Sequence, residues 1–403
     1  MPTGETALAG FIDDRRDDLM RFTQDLVRAR SVNPPGSESG VARVVAGCLE
    51  GFGIPYQILD HGDGRASIVG VVRGNGGSGH LMFNGHADTV PVGEARWGHD
   101  PFSGEMDGGR LYGRGASDMK SGVASMVFAA GALARCGVPL GGDVIVAVTA
   151  GEEVDSIGAW AVSRSEWSRG VDKVLIGEPS DLDIYVAEKG ALWLNLEARG
   201  KTAHGAMPEL GVNAVEHLIR LLSDVKRELS DEFAPAKHSL LGRATVSVNT
   251  IAGGIKTNVI PDFAQATVDI RTLPGHVNED ILERVRGMAR RAQERAKGLT
   301  VNCSAVNDRA AYEIPAGHGM VQELVSVLQE LRGNPPAISG VGYYTDASVF
   351  WPALRVPIVI CGPGCAGLAH QPDEYAETSK IVEAAKAYAI WAGRVQDQAR
   401  RRP

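Results

Sequence analysis

Five short frames along the chain hold histidine and acidic residues at spacings suited to binding metal ions. They lie, in chain order, at 85–91 (GHADTVP), 115–120 (GASDMK), 151–153 (GEE), 177–180 (GEPS) and 370–374 (HQPDE). Two histidines and three carboxylates among them, His86, His370, Asp118, Glu153 and Glu178, make a five-ligand set beside Glu152, enough to hold two metal ions that share one carboxylate. A two-metal site with one spare carboxylate suits the splitting of an amide by water.

The first frame pairs a histidine with an aspartate two residues later, His86 and Asp88. At the end of a strand, side chains at this spacing point to the same side. A histidine that binds a metal commonly donates its other ring N–H to a carboxylate. We therefore interpret His86 as a metal ligand and Asp88 as the residue that orients it. An ordinary surface pair is the alternative.

The second and third frames supply further carboxylates. Asp118 precedes an apolar segment at 123–136 and is a candidate either for a bridging ligand or for a helix N-cap. Glu152 and Glu153 are adjacent and would repel each other, so we expect a cation beside them. One can bind a metal while the other takes a proton from water. Their spacing does not assign the two roles.

The elements that must position these frames are short apolar strands. The segments 80–85, 143–150 and 173–176 are predicted strands, and each ends just before a frame. The segment 143–150 is almost wholly apolar, which is typical of a strand in a parallel sheet that is covered on both faces. Because sites in such sheets form beyond the carboxyl ends of the strands, we expect the frames to meet there. Glu178 and His370 complete the set.

The pattern changes near residue 190 and reverts near residue 305. Between these points the predicted order is strand, helix, strand, strand, helix and strand, at 192–199, 213–228, 244–251, 264–271, 279–297 and 299–304. This is the order of a ferredoxin-like α+β unit. We therefore predict an α/β protein with a discontinuous catalytic domain at 1–189 and 306–403, built on a mixed, mostly parallel sheet flanked by helices. The inserted domain covers 190–305.

Composition excludes several classes of function. The 403 residues carry a formal net charge of −8, which disfavours binding to nucleic acid. The sequence shows neither a secretory leader nor an apolar run of the roughly 18 residues that a membrane span needs, so we expect a cytoplasmic protein. Five cysteines without regular spacing predict reduced, inert thiols.

Taken together, these frames resemble the M20 family of metallopeptidases and deacylases, which includes acetylornithine deacetylase and succinyl-diaminopimelate desuccinylase. The resemblance extends from Asn33 to Tyr375, and the motifs recur in order and in frame. The stretch 362–375, with GPG followed by AHQPDEY, is most similar to the acetylornithine deacetylase branch. The GEPS frame is shared more widely.

The resemblance implies a role for each residue of the frames. It implies two Zn²⁺ ions, with Co²⁺ or Mn²⁺ as substitutes. The implied ligands are His86 and Glu178 for one ion, Glu153 and His370 for the other, and Asp118 as the bridge. Glu152 would then be the general base and Asp88 the partner of His86. The family also carries a non-proline cis peptide at the position of Asp118–Met119.

The inserted segment resembles the lid and dimerisation domain of the same family. The resemblance implies that His204 reaches the active site of a partner subunit and hydrogen-bonds the scissile carbonyl oxygen, so a homodimer is expected. It further implies that Asn258 and Arg271 grip a substrate carboxylate, a task that suits the planar arginine fork. A surface arginine at a strand end is the alternative for Arg271.

These observations favour a metal-dependent amidohydrolase that releases an amino acid from a small N-acyl amino acid. A dipeptidase or carboxypeptidase of the same family is the nearest alternative, because a free carboxylate on the substrate serves both. A non-catalytic binding protein on the same fold is more distant, since Glu152 and all five ligand residues are present. A two-metal nuclease is disfavoured by the acidic charge balance.

Overall fold

The computed structural model describes residues 4–76 and 79–401. The chain divides into two compact units. The first unit contains Met1–Val186, Ile314–Ser339 and Thr345–Pro403, and the second contains Ala187–Glu313 and Gly340–Tyr344. The predicted domain boundaries at 189/190 and 305/306 stay predictions, because compactness alone does not show that a unit folds independently.

The elements up to residue 188 begin with three helices and five strands, and further helices and strands follow. They are α1 (Gly4–Asp14), α2 (Arg16–Arg28), α3 (Ser39–Phe52), β1 (Tyr56–Gly62), β2 (Arg65–Val72), β3 (His80–His86), β4 (Met106–Asp107), β5 (Arg110–Tyr112), α4 (Ser121–Cys136), β6 (Val144–Thr149), α5 (Ile157–Ser163), β7 (Val171–Ile176) and β8 (Ile184–Glu188).

The remaining elements form the second unit and then return to the first. They are β9 (Gly190–Arg199), β10 (Ala203–His204), α6 (Ala214–Phe233), β11 (Thr245–Gly253), β12 (Val259–Ile260), β13 (Phe263–Thr272), α7 (Asn278–Arg295), β14 (Thr300–Arg309), β15 (Tyr312–Glu313), α8 (Gly319–Arg332), β16 (Ile338–Val341), α9 (Ala347–Leu354), β17 (Ile358–Ile360), β18 (Tyr375–Glu377) and α10 (Thr378–Arg401).

The main sheet of the first unit has the strand order β1-β2-β6-β3-β7-β17-β8. The pairs β6–β3, β3–β7 and β7–β17 are parallel, whereas β1–β2, β2–β6 and β17–β8 are antiparallel. Parallel pairing is therefore confined to the centre of the sheet. Every residue of β6 is buried, as expected of a strand covered on both faces. This confirms the predicted mixed α/β fold with helices on the sheet.

Helices cover this sheet through an apolar and partly aromatic core. α4 packs on β2, β3 and β6, and α10 packs along α4. Phe83 of β3 lies 5.8 Å from Tyr388 and 6.4 Å from Trp391 of α10, measured between ring centroids. Such buried aromatic contacts fix the position of β3, the strand that ends in His86.

The second unit contains a four-stranded antiparallel sheet in the order β11-β13-β9-β14. Read from the β14 edge, the strands are the fourth, first, third and second of the β-α-β-β-α-β sequence, which is the ferredoxin-like arrangement. Strand β9 alternates between fully and partly buried residues over most of its length, and helices α6 and α7 supply apolar residues to the same core. Within the described residues, no helix is long and apolar enough to cross a membrane.

Candidate metal centre

Three of the predicted frames lie at the carboxyl ends of neighbouring parallel strands. His86 is the last residue of β3, the 151–153 frame follows β6, and Glu178 follows β7. Because β6, β3 and β7 are adjacent in the sheet, their ends meet at one edge. Gly122 and Gly362 allow the segment before Glu178 to approach closely, since a Cβ on either would lie within 2.2 Å of the Gly177 carbonyl oxygen.

Asp118 and His370 come from irregular backbone rather than from strand ends. Asp118 lies in the turn Ala116–Lys120, which precedes α4, and the Asp118–Met119 peptide is cis, as the resemblance implies. Asp118 does not cap α4, so the N-cap alternative is wrong. His370 follows β17 in a loop and has a φ of 65°, a conformation uncommon outside glycine.

The two oxygens of Asp118 face two different histidines. Oδ1 lies 3.0 Å from Nε2 of His86, and Oδ2 lies 3.5 Å from Nε2 of His370. His86 Nε2 also lies 3.7 Å from a Glu178 oxygen, and His370 Nε2 lies 3.3 Å from a Glu153 oxygen. All five predicted ligand residues are thus brought together, with Asp118 between the other two pairs.

These separations, from 3.0 to 3.7 Å, bracket the spacing of ligands around a metal ion. Two atoms that each bind one Zn²⁺ at about 2.0–2.2 Å in tetrahedral geometry lie roughly 3.3–3.6 Å apart. The donor chemistry, imidazole with carboxylate, also suits a divalent transition metal. Potential ligand atoms fall into two groups whose members lie within 4.8 Å of one another, namely His86 with Glu152 and Glu178, and His86 with Asp118 and Glu153.

The buried carboxylates of the cluster also favour a bound cation. Burial, and then repulsion from Glu178, raises the pKa of Glu152 well above its usual range. Burial, and then repulsion from Asp118, does the same to the pKa of Glu178. Burial lowers the pKa of His86, but the Glu178 and Asp118 carboxylates outweigh this effect and raise it well above normal. Without a cation, Glu152, Glu178 and His86 therefore bind protons more tightly than they would in water.

Asp88 lies beside His86, but its carboxylate does not make the predicted hydrogen bond. Nδ1 of His86 lies 2.9 Å from the backbone oxygen of Asp88 and 3.7 Å from its nearer carboxylate oxygen. The carboxylate instead accepts hydrogen bonds from the backbone N–H groups of residues 151, 152 and 153, over 2.9, 3.1 and 3.2 Å, and from the Asn33 side chain. Three convergent N–H donors satisfy the buried carboxylate better than one imidazole could.

The predicted lid residues lie at two separate places in the second unit. His204 in β10 pairs with Val259, and the Gly205 N–H donates to the Asn258 carbonyl oxygen over 2.8 Å, so the His204 and Asn258 segments are adjacent. Arg271 pairs with Ala191 at the other end of β9. Since β9 rises about 3.3 Å per residue, a distance on the order of 25 Å along the sheet separates the two places.

The neighbourhood of Arg271 contains a pairing of side chains that the sequence did not indicate. Arg271 is paired with Asp269 over 3.0 Å, and its guanidinium carbon lies 6.0 Å from the centre of the Tyr344 ring. Arg309 pairs with the other side of Ala191 and lies 5.6 Å from the same ring. Two arginines on strands that flank β9 thus converge on one tyrosine. No motif in a single sequence indicates this pairing.

Two further pairs of buried side chains in the first unit are not predicted by any sequence motif. The side chains of Arg114 and Glu374 form an ion pair close to Asp118 and His370. Thr149, at the end of β6, donates to the carboxylate of Asp346 over 2.7 Å. Both pairs join segments far apart in the chain, so only the folded structure reveals them.

The mixed α/β fold and the histidine–carboxylate cluster at the strand ends define a metal-dependent hydrolase. A family model described as peptidase family M20/M25/M40 matches residues 82–393, and the chain belongs to this family.

Named relatives lie within the same family. The chain is 31% identical over 395 residues to succinyl-diaminopimelate desuccinylase of Methylobacterium radiotolerans, covering 94% of this chain and 96% of the relative. It is 29% identical over 402 residues to that of Gluconacetobacter diazotrophicus, covering 96% and 100%. Together with the family match, these relatives indicate a metal-dependent amidohydrolase.

Solved structures share the fold at low sequence identity. The M20 family metallo-carboxypeptidase Sso-CP2 from Sulfolobus solfataricus matches with a TM-score of 0.78 and 17% identity, over 94% of this chain and 99% of that one. Human carnosine dipeptidase 1 matches with a TM-score of 0.71 and 17% identity, over 98% and 99%. At this identity the likeness shows the fold alone.

Proposed function

We propose that this protein uses two divalent metal ions, Zn²⁺ in the first instance, to hydrolyse the amide bond of a small N-acyl amino acid. The observation that carries the proposal is the placement of Asp118 between two histidines, each with its own glutamate. One ion would be held by His86 and Glu178, the other by Glu153 and His370, with Asp118 shared. Co²⁺ or Mn²⁺ could substitute.

Bound ions at this place would supply Lewis acidity, which polarises the amide carbonyl and makes water easier to deprotonate. Glu152 takes a proton from the attacking water while the water oxygen forms a bond to the carbonyl carbon. As the C–N bond breaks, Glu152 returns a proton to the amine nitrogen, so the products are a carboxylate and a free amine. Asp88 supports this step by holding the backbone of the 151–153 turn.

A raised pKa suits Glu152 to this exchange of a proton. Glu152 is 7% exposed, and its potential ligand atom lies within 4.8 Å of those of His86 and Glu178. A general base works best when its pKa lies near the working pH, and burial moves the pKa of Glu152 in that direction.

The relatives guide the choice of substrate. Proteins named succinyl-diaminopimelate desuccinylase are about as long as this chain and 29–31% identical to it. We therefore propose N-succinyl amino acids as the first candidates and other N-acyl amino acids next. Arg271, with Asn258, is proposed to bind a carboxylate of the substrate, and the convergence of Arg309 on Tyr344 supports an anion-binding role for this end of the sheet.

We further propose a homodimer in which His204 donates a hydrogen bond to the scissile carbonyl oxygen in the partner's active site. Two features support this. His204 lies in the two-stranded β10–β12 sheet, beyond the end of β9 that is opposite to Arg271, and seven of the nine residues of the edge strand β11 are exposed. An open edge strand of this length is a ready site for pairing with another chain.

The test is amine release from a substrate panel by zinc-loaded protein. The panel contains N-succinyl-diaminopimelate, N-acetylornithine, other N-acyl amino acids and simple dipeptides. Turnover of an N-acyl amino acid that disappears in Glu152→Gln supports the proposal. Turnover of dipeptides alone would replace it with a peptidase of the same family, and absence of turnover across the panel would contradict it.

A further inference from the structure

The loops that carry Asp118 and His370 are joined by a buried ion pair between Arg114 and Glu374. Arg114 precedes Asp118 by four residues, and Glu374 follows His370 by four. Their side chains are 2% and 0% exposed. Neither residue is among the proposed ligands, and neither is needed for the proton transfers described above.

Glu374 holds the backbone of the Asp118 turn. One of its carboxylate oxygens accepts hydrogen bonds from the N–H groups of Ser117 and Asp118, both over 2.9 Å. The other oxygen accepts from the Arg114 guanidinium over 2.5 Å. The Gly113 N–H donates to the Glu374 carbonyl oxygen over 2.8 Å. The orientation of Asp118 therefore depends on a residue from the His370 loop.

Arg114 holds the His370 loop in return. Its two terminal nitrogens donate to the carbonyl oxygens of His370, Gln371 and Pro91, each over 3.3 Å. The guanidinium also lies 5.1 Å from the centre of the Trp97 ring. His370 has a positive φ, which a histidine adopts only when its surroundings hold it. The Arg114 contacts to two consecutive carbonyls are well placed to do so.

Stability alone does not explain this pair. Burial raises the pKa of Glu374 to about 7 in spite of the nearby arginine, so removing this carboxylate from water is costly. Replacing a buried ion pair with apolar residues is often neutral or stabilising. What the pair provides here is a fixed geometry between two loops that both supply metal ligands.

The two proposed metal positions differ in how far they depend on this geometry. His86 and Glu178 lie at or just after strand ends and are almost fully buried. The side chain of His370 is 50% exposed and lies on a loop. An ion held by Glu153 and His370 thus depends on a loop whose position the Arg114–Glu374 pair sets.

We propose that Arg114 and Glu374 are positioning residues for the second metal ion, the one assigned to Asp118, Glu153 and His370. The inference rests on the two-metal site of the proposed function. Loss of either residue would weaken binding of the second ion more than binding of the first, because Asp118 is shared by both ions but His370 serves only the second.

The test measures metal binding rather than turnover. Metal-free wild type, Glu374→Gln and Arg114→Lys are titrated with Zn²⁺ by calorimetry and with Co²⁺ by visible absorption. Outer-shell changes of this kind typically cost roughly 10–100-fold in metal affinity. We expect a loss of that size at the second ion and a clearly smaller loss at the first. The matched control is Glu383→Gln, which removes a partly buried partner of Arg332 and should leave both affinities unchanged.

The outcomes separate this inference from the proposed function. Wild type that binds a single ion would contradict the two-metal site, and the inference would fail with it. If wild type binds two ions and both variants bind them with unchanged affinity, the inference alone is overturned. It is also overturned if the affinities for the two ions fall equally. Circular dichroism checks folding, and either folded variant carries the test. If neither folds even with saturating metal, the pair determines folding and the inference is overturned.

Discussion

The carboxylate of Asp88 accepts a hydrogen bond from the backbone N–H of Glu152 over 3.1 Å. The same carboxylate also accepts hydrogen bonds from the N–H groups of residues 151 and 153. Asp88, which follows β3, thus fixes the backbone of the turn that follows the neighbouring strand β6. His86 is oriented separately, through the backbone oxygen of Asp88. The support of the proposed base and the support of the proposed ligand come from different atoms of one residue.

The separate roles of the Asp88 carboxylate and the Asp88 backbone oxygen predict the effect of Asp88→Asn. The amide keeps the size of the side chain but removes its charge and turns one acceptor into a donor that faces backbone N–H groups. We expect kcat to fall by roughly 10–100-fold, as for other supporting residues of metal sites. KM should change little, because no proposed substrate contact is lost. Steady-state kinetics on the best panel substrate checks this, and an unchanged kcat would contradict the role of Asp88.

Glu152→Gln separates a general base from a metal ligand. Glutamine has nearly the same shape but cannot take up a proton, so kcat should fall by at least roughly 10²–10⁴-fold. Metal content, measured by mass spectrometry after dialysis, should stay at the wild-type value. Glu153→Gln is the matched control and should lose metal. If Glu152→Gln lost an ion, its proximity to His86 and Glu178 would reflect ligation instead.

Much of the fold and the candidate site could be predicted because both depend on local pattern. Buried parallel strands appear in sequence as short apolar runs, and a frame that follows such a run must lie at the edge of the sheet. The order of strands and helices in the second unit could be predicted in the same way, since β9 and β13 alternate and α6 and α7 have helical spacing.

What could not be predicted depends on contacts between distant residues and on backbone atoms. The Arg114–Glu374 pair spans 260 residues of sequence, and no local spacing indicates it. The donors to the Asp88 carboxylate are backbone N–H groups, which every residue type except proline supplies, so the sequence could not reveal them. The sequence therefore identified the side chains of the proposed chemistry better than the residues that hold them.

The raised pKa values predict how the metal-free protein responds to pH. Because burial and neighbouring carboxylates raise the pKa of Glu178 and Glu152 from 4.5, the folded metal-free chain binds these protons more tightly than the unfolded chain. Their contribution to stability is present below the unfolded pKa and is lost as pH rises through the raised values. The Tm of metal-free protein should therefore fall as pH rises above the unfolded value of 4.5.

Glu178→Gln provides the matched test of that explanation. The variant lacks one of the repelling carboxylates, so without metal it should be more stable than wild type near pH 8 and lose less stability as pH rises. With metal the order should reverse, because wild type alone keeps all its ligands. Calorimetric unfolding with and without a chelator measures both. A Tm of metal-free wild type that rises with pH would contradict the prediction.

The cysteines should differ in reactivity. All five are unpaired, and burial raises the pKa of Cys48 and Cys361 to about 12, which leaves almost no reactive thiolate near neutral pH. Cys48, Cys136 and Cys365 are all partly buried, and burial raises the pKa of Cys136 as well. We expect iodoacetamide to modify Cys365 first in the folded protein, and all five thiols in denaturant. Peptide mass mapping over time checks this, and early modification of Cys361 would contradict the buried position of its thiol.

Mixed dimers test whether His204 acts on the partner's active site. His204→Ala and Glu152→Gln should each be nearly inactive as pure proteins. In a heterodimer of the two, the site with an intact Glu152 receives the intact His204 of the other subunit, so one site in two regains function. Random reassortment makes half of the dimers mixed, so activity should recover to about one quarter of the wild-type value. Mixing at high dilution, where subunits do not associate, is the control. If His204 instead served its own chain, every site in the mixture would lack one of the two residues, and no activity would return.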